Sequence, residues 1–354
     1  MNEFYNDYGR GFFESYEDRQ DKIRKQRRLF SRVFWALVAY ILSSRIFATG
    51  AYVLMKLMLS PEEYLRASES TVVSLSVSCI AQYVIAFPIF ALMLIGTPKA
   101  RSRERSTLSG KEFFLLFTVA EALMYAGNLI GNYLNEIIAS LLGGMPENGI
   151  ATTISETPAW LIFICVVVLA PIVEELIFRK LMIDRLSIYG DKTAILFSAI
   201  AFGLMHGNFY QFFYAALVGL LFGFVYTKTG KIGYTILMHT IVNFMGSIVA
   251  LPVEKATETF YEILEVASSG LAINVVEFFV SAAILFIYVS IQYGLIIGGI
   301  IVLFSYARKG RFAVSKAKEV QLPDDIIRNA GVTNVGAIVF LILTIGSTVL
   351  SVFF

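Results

Sequence analysis

The chain has 354 residues, of which 57% are hydrophobic and only 16% charged, with a mean hydropathy of +0.69. That balance leaves too little charged surface for a soluble domain, and a net charge of +2 gives no basis for a nucleic-acid partner. Repeated apolar runs near the length of a hydrocarbon core predict an all-α fold, a polytopic transmembrane helix bundle of about nine spans.

In chain order, residues 1–28 form a polar, then basic tail with no sustained apolar periodicity, expected to rest on anionic lipid. The first apolar run is too long for a cleavable signal and lacks a small-residue cleavage site, so it reads as a signal anchor. Spans are expected over 29–59, 71–95, 113–142, 158–183, 194–205, 209–226, 232–251, 273–306 and 335–354. Residues 29–354 are read as one transmembrane domain. The fifth and sixth spans form one apolar stretch, broken at His206-Gly207-Asn208. The eighth exceeds one bilayer and is expected to tilt or project. Cys79 and Cys165 lie inside apolar runs and are read as packing residues. Ala215, Gly219 and Gly223 make a small-xxx-small stripe suited to close helix contact.

The loops provide an independent test of this order. Lys and Arg collect in the tail (Lys22 to Arg28), around Lys99 and Arg101, around Arg185 and Lys192, at Lys228 and Lys231, and from Arg308 to Lys318. The loop 143–157 has neither, and 252–270 sets Glu254, Glu258, Glu262 and Glu265 against one lysine. With nine spans every basic loop falls on one side, which predicts a cytoplasmic amino terminus, an outer carboxyl terminus and a multi-pass plasma-membrane protein.

Ionisable groups at membrane depth are costly and point to function. The fourth span carries Pro171-Ile-Val-Glu174-Glu175-Leu-Ile-Phe-Arg179. At i, i+4, Glu175 and Arg179 share a helix face and can pair, whereas Glu174 points about a hundred degrees away and stays free. The only two histidines follow, as Phe202-Gly-Leu-Met-His206 and His239-Thr-Ile-Val-Asn243. Counted by helical rise from Arg185, Lys192 and Lys231, Glu174, His206, His239 and Asn243 lie roughly 16, 21, 12 and 18 Å deep. One layer can therefore hold all four around a shared cavity. A carboxylate that takes a proton from water, an imidazole beside it, and amide and imidazole donors for an oxyanion suit peptide-bond hydrolysis. Arg45, Glu121, Asn128, Asn132 and Glu277 are read as structural groups that pair between helices, snorkel or line the cavity.

The ordered set Glu-Glu-x-x-x-Arg, Phe-x-x-x-His and His-x-x-x-Asn resembles the CPBP (Abi) membrane proteases, relatives of the endopeptidase that trims prenylated CAAX proteins. The resemblance covers 158 to about 247, the protease-like core. It implies an intramembrane glutamic endopeptidase with Glu174 as general base, His206 helping to activate water, His239 and Asn243 as the oxyanion site, and Glu175 with Arg179 as a supporting pair. It also implies a membrane-associated or lipidated peptide or protein substrate, and no cofactor. Three alternatives stand beside it: a zinc-dependent variant of the same protease, a non-enzymatic bacteriocin-immunity or binding protein, and a proton-relaying transporter.

Overall fold

A computed structural model describes residues 16–101, 106–142, 149–314 and 319–351. The start of the polar tail, Arg103, Arg105, Lys316 and Lys318 lie outside the described residues. Within them the chain is helical without strands, in twelve segments. These are α1 (Tyr16–Met58), α2 (Pro61–Glu69), α3 (Thr71–Met93), α4 (Gly110–Leu142), α5 (Gly149–Glu156) and α6 (Ala159–Tyr189). There follow α7 (Asp191–Met205), α8 (Phe209–Thr229), α9 (Ile232–Ser268), α10 (Val275–Arg308), α11 (Asp324–Val332) and α12 (Val335–Leu350). Seven of these are long and apolar enough to cross a membrane, or eight if the α11–α12 pair, bent by 60°, counts as one. The chain is a multi-pass membrane protein.

Each of the nine expected segments is helical, but two fall short of a full span. Helix α7 has 15 residues and α12 has 16, about 22 and 24 Å at 1.5 Å per residue, against about 30 Å of hydrocarbon. Helices α7 and α8 form a closely packed hairpin, so the chain returns to the side it left whether the pair spans or only dips. The side on which every later loop lies is thus insensitive to the count.

Two expected boundaries move. Part of the basic tail is already helix, because α1 begins at Tyr16, and its Gln26 is buried with Nε2 donating to the Ile327 carbonyl, 2.9 Å away. The acidic stretch 252–270, expected as a loop, continues α9 to Ser268. A π-helical turn over Met245–Val249 shifts the hydrogen-bond register just before Pro252, so the missing proline N–H is absorbed. Phe260 stacks on Phe278 at 5.3 Å and holds this extension against α10.

Local chemistry writes several helix starts. Ser60 with Glu63, and Ser109 with Glu112, exchange side-chain and backbone hydrogen bonds as capping boxes. Asn208, Asn274 and Asn334 cap α8, α10 and α12. Gly230 closes α8 at φ +63°, a left-handed position that disfavours a side chain.

The basic loops meet at one end of the bundle. Arg32 donates to the Met93 and Ile95 carbonyls, and Arg185 to the Leu94 carbonyl and the Thr97 hydroxyl, so both close the same helix end. The Ala100 N–H bonds the Asp184 carbonyl, that of Ser106 the Thr229 carbonyl, and that of Glu319 the Ile188 carbonyl. Two apolar cores hold the helices together. One joins α1, α3, α6, α7, α11 and α12 around Phe30, Leu37, Phe90 and Phe340. The other joins α4, α8 and α9 around Val119, Phe222 and Met238. Helix α8 contributes to both, and its stripe faces α7: a Cβ on Gly219 would sit 3.1 Å from Ala199 Cα, and one on Gly223 3.0 Å from the Ile195 side chain.

Candidate active site

Helix α6 is not a regular α-helix where the glutamates sit. A short α-helical stretch, Ala170–Glu175, lies between π-helical segments Phe163–Leu169 and Leu176–Ile183. Pro171 supplies no N–H to the preceding turn, which is consistent with the widened register there. Widened turns of this kind recur at functional sites because they re-aim adjacent side chains.

The two glutamates have different surroundings. Glu175 is fully buried, and both of its oxygens are engaged. Its Oε2 lies 3.1 Å from Arg179 Nε, and its Oε1 lies 3.1 Å from His239 Nδ1. The contact with Arg179 is an ion pair by distance alone, since the guanidinium N–H groups have no hydrogen-bond acceptor among the described residues. Two rings cover the cation instead, Phe202 at 4.6 Å and Phe222 at 5.5 Å from its central carbon. Glu174 keeps 23% of its side chain exposed, and its Oε2 lies 3.7 Å from His239 Nε2. That is too long for a direct hydrogen bond and suits one bridged by water.

His239, from α9, is therefore wedged between both carboxylates. With a carboxylate as its partner, Nδ1 must carry a proton, which leaves Nε2 directed at Glu174. His206 ends α7, and its Nδ1 donates to the Phe202 carbonyl at 2.8 Å, so Nε2 keeps its lone pair. Phe202 packs edge-on against both imidazoles, at 5.0 Å from His206 and 5.7 Å from His239. One phenylalanine thus spaces the two histidines and caps the arginine.

Glu174 and His206 open onto a common cavity of about 400 Å³. Its opposite wall comes from α1 and α3, with Tyr40, Ser44, Arg45, Ser78 and Gln82. Glu174 is the one carboxylate in that lining. Asn243 is placed differently: its Nδ2 donates to the Val166 carbonyl at 2.9 Å and fastens α9 to the first π-helical segment of α6. It does not line the cavity, and one of its two N–H groups is committed to that bond. Among the described residues, no three His, Cys, Asp or Glu side chains gather closely enough to hold a metal ion. The donor set explains this, because Glu175 is taken by Arg179 and His239.

Residues 156–245 match the Rce1-like family. Its full description is type II CAAX prenyl endopeptidase Rce1-like, and the matched segment contains Glu174, His206, His239 and Asn243. A CAAX prenyl protease 2 from Arabidopsis thaliana is 28% identical over 166 residues, 39% of this chain and 49% of that protein. A putative membrane peptidase, YdiL, from Bacillus subtilis is 31% identical over 96 residues, 26% of this chain and 38% of that protein. The chain thus spans less than half the length of these relatives. No solved structure matches. The resemblance read from the three motifs is borne out.

Motif reading found the Glu175–Arg179 pair because i, i+4 spacing fixes it. It did not find the Glu175–His239 contact, which crosses 64 residues. The cavity wall from α1 and α3 carries no motif, and its one sequence signal is the polar residues Arg45, Ser78 and Gln82 inside apolar runs. Of the other polar groups, Glu277 sits in the first turn of α10 beside the Asn274 cap, where the helix dipole favours an acid. Glu121 is buried, with Oε1 lacking a partner.

Proposed function

We propose that this chain is a membrane-embedded endopeptidase that hydrolyses a peptide bond with water activated by Glu174. The observation that carries the reading is the division of labour within the glutamate pair. Glu175 is spent on Arg179 and His239, while Glu174 faces a cavity shared with the free Nε2 of His206.

The chemistry follows from these positions. Water in the cavity gives a proton to the Glu174 carboxylate as its oxygen adds to the scissile carbonyl. His206 Nε2 accepts the second hydrogen bond of that water and orients its lone pair. The oxyanion that forms needs a donor, and His239 supplies one through Nε2 when that nitrogen carries a proton. Asn243 fixes the depth of His239 by tying α9 to α6. When the C–N bond breaks, the proton held by Glu174 passes to the departing amine, so the carboxylate is regenerated. No metal enters this sequence.

The relatives' printed names, a CAAX prenyl protease and a membrane peptidase, support a membrane-associated or lipidated peptide or protein as substrate. The basic end of the bundle is read as cytoplasmic in a plasma membrane, by the positive-inside rule.

The test is Glu174→Gln in full-length protein reconstituted in lipid, alongside Glu174→Ala and His206→Ala. Comparing membrane proteomes of cells that carry wild type and Glu174→Gln should reveal an uncut substrate that accumulates only with the variant. With that substrate purified, Glu174→Gln should lower cleavage by about 10³-fold while insertion and melting remain those of wild type. Cleavage that persists unchanged in a folded Glu174→Gln protein would remove the assignment, and cleavage abolished by exhaustive chelation would move it to a metal.

A further inference from the structure

The mechanism uses one wall of the cavity and leaves a cation on the other unexplained. Arg45 projects from α1 into the space that Glu174 and His206 share. It is exposed there, and it has neither an ion pair nor a hydrogen bond among the described residues. Glu174, the one acid in the lining, has its Oε2 3.7 Å from His239 Nε2 on α9. Glu175 is taken by Arg179 and His239.

Arg45 lies within the apolar part of α1 rather than at a helix end. A cation in hydrocarbon reaches for the interface when it is near a helix end. Arg32 marks the basic end of α1, since it bonds the last carbonyls of α3, and Met58 ends the helix. Arg45 lies thirteen residues from each, about 20 Å of helix either way. With a hydrocarbon core about 30 Å thick, Arg45 lies about 20 Å below the basic face and about 10 Å inside the other, so it sits at membrane depth. By the same rise Glu174 lies about 16 Å from Arg185, which bonds the same end of α3. Arg45 is therefore only about 3 Å deeper than Glu174 along the bundle axis, on the facing wall. Ser44, Ser78 and Gln82 line the space beside it, and Glu174 is the one acid in that lining.

We propose that Arg45 is a specificity-determining residue that binds a carboxylate of the peptide substrate, close to the bond presented to Glu174. This rests on the protease reading and deepens it by naming what the substrate must carry. A planar guanidinium with free N–H groups accepts a carboxylate through two parallel hydrogen bonds, and low dielectric strengthens the pair. The carboxylate also answers the uncompensated charge of Arg45. It belongs either to the end of the substrate chain or to an acidic side chain, and both have the same chemistry at this site.

The experiment separates binding from hydrolysis. Full-length protein carrying Glu174→Gln, in phosphatidylcholine nanodiscs, is titrated with dye-labelled hydrophobic decapeptides of one sequence. These end in a free acid, in an amide, or in an amide with an internal Asp or its Asn counterpart. The free-acid or the Asp peptide should bind roughly ten- to a hundredfold tighter than its neutral partner, and which of them does so identifies the source of the carboxylate. Adding Arg45→Gln should erase that preference and leave binding of the neutral peptides unchanged, whereas Arg45→Lys should keep part of it. The proposal is overturned if Arg45-containing protein shows no preference for either carboxylate, if the preference survives Arg45→Gln, or if both substitutions abolish all binding. Should the preference hold while wild-type protein cleaves none of the peptides it binds, the anion site stands and the hydrolase reading falls.

Discussion

At the scale of single residues, the site turns on which carboxylate is left over. Glu175, Arg179 and His239 form a buried chain in which each charge is held by the next. Removing one member strands the others in low dielectric, which typically costs 3–5 kcal/mol. Arg179→Met should therefore destabilise the protein by roughly that amount, and so should Glu175→Gln. The double variant Glu175→Gln/Arg179→Met should recover much of the loss, read from thermal melting in detergent, because no guanidinium remains to be neutralised. If the two losses simply add, the pair is not a coupled unit. This pair was legible in the sequence, since four residues of helix bring its members together. The second partner of Glu175 was not, because nothing in a linear pattern states that α9 crosses α6 at His239. Cys79 and Cys165 each read as isolated packing residues, and both are free thiols, Cys165 buried and Cys79 half-buried.

At the scale of elements, the positions of the histidines depend on how α7 meets α8. The small-residue stripe on α8 lets the helices approach until Gly219 faces Ala199 and the Phe202 ring. Phe202 in turn spaces both imidazoles. Gly219→Leu should force the hairpin apart, destabilise the fold by about 1–3 kcal/mol and lower cleavage more than that loss alone explains. Gly233→Leu, at a glycine with open space around it, is the control. Equal effects of the two would disconnect the stripe from the site. The hairpin itself was readable, because the polar His206-Gly207-Asn208 interrupts an apolar run and Asn208 is a cap. The π-helical turns of α6 and α9 were not: their sequences are apolar like their neighbours, and Pro171 and Pro252 were the only hints. That is also why the acidic continuation of α9 was expected to be a loop.

At the scale of the whole molecule, charge sorts the loops to two ends of the bundle. The segments rich in Lys and Arg converge at one end, with Arg32 and Arg185 closing the same turn of α3. The acidic end of α9 is far along the chain from that cluster. Replacing Cys79 and Cys165 by Ala and introducing Arg101→Cys or Glu262→Cys singly should give opposite labelling by a membrane-impermeant maleimide on intact cells. Glu262→Cys should react from outside, and Arg101→Cys only after permeabilisation. Labelling of both from one side would contradict the orientation. Class and order of segments were visible in the sequence because hydrocarbon thickness fixes length. The shortness of the fifth span was visible as well, expected over 194–205 and observed as the 15 residues of α7.

The hairpin tip has one more consequence. A chain that turns within lipid must satisfy its own amides and carbonyls. Here the His206 N–H reaches the Gly203 carbonyl and the Gly207 N–H that of Leu204. The His206 ring takes that of Phe202, and the Asn208 amide that of His206. Four hydrogen bonds between protein groups thus fasten the turn. A substrate chain that displaces water from the neighbouring cavity would therefore leave these four bonds in place.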